Sequence, residues 1–298
     1  MRGNVVSFEA EYYSNKSKEA QAALKNDEYE KVLEIIKEPL SKIDSLDEIE
    51  VYCPQNIFEQ IILLNLLGKE VHQNSFSKIN YFEFYLMAAT SYSSLNNFEK
   101  AKEFYEKAIK LNPANSVARI SAMRVAIKMN SFDGFLNNIK DAMFFAYTRN
   151  DIGQIFELAG DYLTHEKDYE MALVAYHLSI VYRIDDSVAQ KINEILKKEN
   201  IESKDWLSEY YMKKFNNTYE IPLMPNEKIV LLAEAMGADA RKNNAYGVSI
   251  FSYNIAYELT LDEKYKKELD EVNAIAKSSR KWWNGLYWHK ERWIKKIT

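Results

Sequence analysis

Four histidines, one cysteine and a few neighbouring acids are the residues through which this chain could do chemistry. His72, His165, His177 and His289 form no H-E-x-x-H pair, and Cys53 alone cannot supply a Cys/His cluster, so no metal site is expected. His165 and His177 would fall on paired helices near Asp161 and Asp168, yet without a supporting motif they read as solvated surface histidines. Cys53 precedes Pro54 at an expected helix start, where a helix dipole lowers a thiol pKa. With no identifiable histidine partner, it reads as a structural thiol. Asp185 and Asp186 are adjacent in sequence, need not face a common site, and read as solvated. None of the eight glycines forms a G-x-G pair, which removes the dinucleotide fingerprint and the phosphate loop. Neither a cofactor nor an enzymatic activity is expected.

The elements that would carry these residues are helices. A chain of 298 residues with 47% hydrophobic and 28% charged residues has the composition of a packed protein, not a disordered one. Eight Gly and five Pro are too few to punctuate many hairpins, so long helices are predicted. Apolar residues at i, i+3 and i+4 predict helices over 55–67, 187–198, 204–215, 227–242 and 246–259. The run 216–225, with Asn216, Asn217, Pro222 and Pro225, opposes helix and marks a boundary.

Self-similarity organises the middle of the chain. Within 82–115, Tyr85, Ala88, Ala89, Tyr92, Ala101, Tyr105, Ala108 and Pro113 stand at fixed offsets. Phe156, Ala159, Gly160, Ala172, Tyr176 and Ser179 repeat the pattern within 153–186. Small residues at Ala89 and Ala101 let two helices approach, while Tyr92 and Tyr105 fill the space beside them. Between these units, 116–149 keeps the period with Ala122, Phe132 and Ala142, although Phe135 occupies a usually small site. Weaker echoes span 228–261, through Leu231, Ala235, Gly247 and Phe251, and about 16–43.

This pattern resembles the tetratricopeptide repeat, from which 82–115 departs only at Ala88, where Leu is usual. The resemblance implies an all-α, antiparallel helix-pair solenoid, a right-handed superhelix with degenerate terminal repeats. The expected organisation is N-terminal helical pairs over 1–81, a repeat core over 82–186 and a C-terminal helical segment over 187–298. It also implies a protein- or peptide-binding scaffold whose guest rests on the second, fifth, ninth and twelfth positions of each first helix. Those positions are Glu83, Leu86, Thr90 and Ser93, then Val117, Ile120, Arg124 and Ile127, then Gln154, Glu157, Asp161 and Thr164. Similar proteins grip a C-terminal carboxylate with Lys and Asn at the fifth and ninth positions, which this chain lacks. Acidic and apolar residues dominate instead, and a basic or amphipathic partner is expected.

The C-terminal residues 277–298 hold seven Lys or Arg against the single acid Glu291, a net +6 that leaves −11 for the remainder of a chain of net −5. At helical spacing Trp282, Leu286, Trp293 and Ile297 form an apolar stripe flanked by Trp283 and Ile294. Three readings stay open for it: a helix capping the last open face of the array, docking on an acidic partner or on the chain's own acidic groove, and interfacial contact with a membrane. The acidic body argues against nucleic acid. A peptide-sensing regulator is the alternative function, lowered by the lack of a convincing helix-turn-helix in the first 70 residues. The stretch 1–13 has no basic region followed by an apolar one, and no apolar run approaches the roughly 18 residues of a membrane span, so a cytoplasmic protein is expected. Partner identity and oligomeric state are left open by these residues.

Overall fold

A computed structural model describes residues 2–44, 51–67, 71, 75–278, 286–289 and 292–295. Among them are fourteen helices: α1 (Arg2–Lys25), α2 (Tyr29–Asp44), α3 (Ile57–Leu66), α4 (Tyr81–Ser94), α5 (Phe98–Leu111), α6 (Ser116–Lys128), α7 (Phe135–Phe145), α8 (Arg149–His165), α9 (Tyr169–Tyr182), α10 (Asp186–Lys198), α11 (Glu209–Tyr219), α12 (Glu227–Lys242), α13 (Tyr246–Thr260) and α14 (Glu263–Ser278). Two short strands follow, β1 (Leu286–His289) and β2 (Arg292–Lys295).

One turn, used six times among the described residues, builds the array. After α1, α4, α6, α8, α10 and α12 the chain enters the left-handed region at Asp27, Asn96, Asn130, Lys167, Asn200 and Asn244, with φ between 52° and 63°. The next N–H then returns to the carbonyl five residues earlier, as from Asn97 to Tyr92 (2.8 Å), Asp168 to Leu163 (2.9 Å) and Ala245 to Ala240 (2.8 Å). This closure satisfies carbonyls that a helix end leaves unpaired, and Asn and Asp tolerate the left-handed backbone better than other side chains. The chain thus reverses direction and lays the second helix against the first: α1 on α2, α4 on α5, α6 on α7, α8 on α9 and α12 on α13. The expected all-α, tetratricopeptide-like solenoid is therefore the fold. Its degenerate member is α10 with α11, both of which pack on α9, and α14 covers α13 at the end of the series.

Small residues facing a tyrosine set the depth of three of the pairs, α4–α5, α8–α9 and α12–α13. A Cβ built on Gly160 would stand 2.5 Å from the Tyr176 ring, and one on Gly237 would stand 3.1 Å from the Tyr253 ring. Ala89, Ala101 and Tyr105 share a buried cluster of the same kind. The last pair therefore runs in a register two residues later than 228–261: Gly237 and Tyr253, not Ala235 and Phe251, are the partners. Phe135, at the site expected to be small, is 1% exposed and stacks on Tyr162 of α8 at 5.3 Å between ring centres.

Three other expectations are corrected. The helix predicted over 204–215 begins at Glu209, because Trp206, 1% exposed, anchors the preceding loop in the core. It runs on to Tyr219 and ends where Glu220 takes φ 53°, so the break expected at 216–225 starts four residues late. The helical stripe expected through Leu286 and Trp293 is instead an antiparallel ladder pairing Leu286 with Lys295 and Trp288 with Trp293. Aromatic and branched residues favour extended backbone, and Gly285 disfavours a continuous helix across this stretch. Trp282, Trp283 and Ile297 lie outside the described residues.

The spacing does not reveal the role of α3, which stands between the first two pairs and belongs to neither. It packs on α12, and its Phe58 meets Tyr147 edge-on at 5.4 Å and Phe251 of α13 at 6.4 Å between ring centres. The array therefore curls until its last pair reaches an insert near its beginning.

Replacing Gly160 with Ala should cost about 1–3 kcal/mol through overpacking, since the Tyr176 hydroxyl is held on Asp161 at 2.8 Å and the ring has little room to yield. At Gly237 the contact is looser and the helix propensity gained, about 0.8–1 kcal/mol, offsets much of it. Urea unfolding should rank Gly160→Ala well below Gly237→Ala; equal midpoints would contradict the packing described.

Candidate polypeptide-binding site

The positions expected to form an acidic wall divide into groups with different surroundings. Ile120 is 4% exposed and belongs to the core, and Leu86 is half-buried between two apolar clusters. Thr90 and Ser93 are partly exposed on α4. Arg124 is exposed, donates to Gln154 at 3.0 Å and stands 3.6 Å from Glu157.

Glu157 and Asp161 do come together, one turn apart on α8, but cations from the end of α9 and from α10 meet them there. Arg183 reaches Glu157 at 2.6 Å, and Lys191 of α10 bridges Glu157 at 2.9 Å and Asp161 at 2.7 Å. Burial pushes the Glu157 carboxyl up, and the Lys191 hydrogen bond with the charges of Lys191, Arg124 and Arg183 outweighs it, holding the group below its ordinary value of 4.5. The same cluster raises Lys191: burial pulls it down, and Asp161 with Glu157 more than compensates. An acidic face for a basic guest is thus already neutralised within the chain. Lys191 and Arg183 occupy no position that the repeat pattern marks, so only the fold associates them with α8.

Glu83, the remaining acid of the expected wall, is also engaged. Ser17 donates to its Oε2 at 2.7 Å, and the Gln21 amide donates to Oε1. These contacts join α1 to α4 at the edge of a cleft of about 630 Å³ formed by α1, residues 54–57, residues 78–84 and α13. Tyr13, Phe84, Ile57, Val248 and Phe251 give it an apolar side. Lys18 and Lys78 also line it, and both are exposed without a hydrogen-bond or ion-pair partner among the described residues.

A polar hub holds the segment that carries Gln55 and Asn56 to the cleft. Glu59, in the first turn of α3 and 1% exposed, accepts from the Gln55 N–H (2.6 Å), Asn112 Nδ2 (2.6 Å), Asn115 Nδ2 (3.0 Å) and the Tyr147 hydroxyl (3.2 Å). Asn115 caps α6, and Tyr147 immediately precedes Thr148, the cap of α8. Asn80, which caps α4, exchanges two amide hydrogen bonds with Gln55 at 2.8 and 3.0 Å. One short segment thereby fastens the starting ends of three successive first helices. Burial, together with the Glu59 charge, drives the Tyr147 phenol well above its ordinary value of 10.

His165 and His177 do not share partners: His165 lies on the Phe132 ring at 4.1 Å and bonds Glu166, while His177 bonds the Leu173 carbonyl at 2.7 Å. Cys53 is not at a helix terminus, since α3 begins at Ile57; it is 3% exposed and burial pushes its thiol up. Asp185 caps α10 through Ser187 and pairs with Arg183 at 2.9 Å, so it is structural. No group of three potential metal ligands occurs among the described residues, and no helix there is long and apolar enough to cross a membrane.

The tetratricopeptide repeat family matches residues 82–115, the α4–α5 pair and the residues just beyond it. With that match and the repeated helix hairpins, the chain is a tetratricopeptide-like helical repeat protein. No curated protein matches the sequence.

Because the depressed Glu157 carboxyl contributes stability above its unfolded pKa, that contribution is lost as pH falls through the lower folded value. Glu157→Gln should cost about 1–3 kcal/mol at pH 7, the partly exposed cations being rehydrated in part. It should also flatten the acid limb of stability below about pH 4.5. Urea titrations at several pH values check both; a variant whose acid limb matches the wild type would remove Glu157 from the account.

Proposed function

We propose that this protein is a non-catalytic scaffold that binds a polypeptide in the cleft between α1, residues 54–57, residues 78–84 and α13. Repeat pairs of this family serve as protein-interaction modules, and the match at 82–115 supports that general role. The observation that carries the finer reading is the cleft itself: about 630 Å³, faced by the first helices of two pairs, with Ile57 left 45% exposed at its edge. An exposed apolar side chain in a concavity rimmed by polar groups suits recognition of a partner. The middle of the array suits it less, because Glu157 and Asp161 are consumed by Arg183 and Lys191.

A photo-crosslinking residue, p-benzoylphenylalanine, placed at Ser14 in the cleft should yield covalent polypeptide adducts in cells expressing the protein. The same residue at Glu103, exposed on α5, should yield several-fold less. Adducts of equal intensity from the two positions would put the binding surface elsewhere.

A further inference from the structure

Charge accounting within the cleft carries the scaffold reading one step further, to the chemistry of the guest. We propose that the cleft takes an acidic polypeptide segment, its carboxylates directed at Lys18 and Lys78 and an apolar side chain seated on Ile57, Val248 and Phe251. This rests on the scaffold reading and reverses the basic partner expected from sequence.

Three charged residues line the cleft among the described residues: Lys18, Lys78 and Glu83. The acid does not balance the two cations for an incoming chain. Both of its oxygens already accept hydrogen bonds, Oε2 from Ser17 and Oε1 from Gln21, so the carboxylate is turned onto α1. Lys18 and Lys78 enter the cleft from different elements, α1 and the segment before α4, and neither is drawn onto an acid. This contrasts with Lys191, which is spent on Glu157 and Asp161. Two uncommitted ammoniums favour a guest carrying carboxylates and repel a basic one. The apolar side of the cleft adds a requirement that a free anion does not meet. Phe251 is held edge-on to Phe58 of the anchored α3, so the apolar seat is preorganised.

Selection of random 12-residue displayed peptides, against the full chain and against K18E/K78E, tests this. Both lysines are exposed, and circular dichroism checks that the variant keeps the helical fold. The pool retained by the wild type should hold at least about twofold more Asp and Glu than the input, together with apolar residues, and the K18E/K78E pool should shift to Lys and Arg. A retained acidic peptide should lose affinity about tenfold in fluorescence anisotropy on K18E/K78E and little on K37E/K110E, a control of equal charge change on α2 and α5. Pools of equal acid content, or a Gln-substituted peptide that binds as tightly, would overturn the acidic guest while leaving a polypeptide scaffold standing. Failure of the wild-type chain to retain any peptide would overturn both readings.

Discussion

A carboxyl group removed from water costs several kcal/mol unless donors replace its lost hydration. Glu59 meets that demand with four donors drawn from its own segment, from the α5–α6 connection and from the residue before the α8 cap. The interaction constrains more than one side chain. It requires the helix-capping ends of α6 and α8 to lie at one spacing from α3, while the Gln55–Asn80 amide pair adds the cap of α4. Tetratricopeptide pairs otherwise touch only their neighbours; here an inserted helix spans three of them, and Phe58 then draws the last pair inward through Phe251.

That constraint also shapes the cleft proposed for recognition. With α3 fastened to the array, a cleft of about 630 Å³ opens between α1, the start of α4 and α13. Acids on the central first helices are used for cohesion: Glu157 and Asp161 hold Lys191 and so tie α8 to α10. Charges committed in this way contribute little to a guest. Two uncommitted ones, Lys18 and Lys78, line the proposed cleft.

The hairpin array was readable because each pair is a local object. Ala89 and Tyr105, or Gly160 and Tyr176, are sixteen residues apart, and their types alone announce a close approach. The register of α12 and α13 was misread because Ala235 and Gly237 are both small and Phe251 and Tyr253 are both aromatic; only the contact of Gly237 with Tyr253 separates the choices. Glu59 gave no warning at all. In sequence it is an ordinary first-turn acid, and its side-chain donors stand 53 to 88 residues away. The same distance problem hid the pairing of Glu157 with Lys191, so an acidic groove was inferred from charges that the fold cancels. The C-terminal aromatic run fitted a helical stripe and a strand ladder equally in residue type, and the ladder is what forms at 286–289 and 292–295.

Native-state hydrogen exchange of the α3 amides tests most directly whether this insert is the clasp of the array. If it is, the amides of Ile62 and Leu63 exchange only through the same global opening that exposes α8 and α9, and in Glu59→Ala protection falls together across α3 and the first turns of α4, α6 and α8. Rapid exchange of α3 in the wild type, or a loss in the variant confined to α3 alone, would show that the helix merely rests on an array that holds itself together.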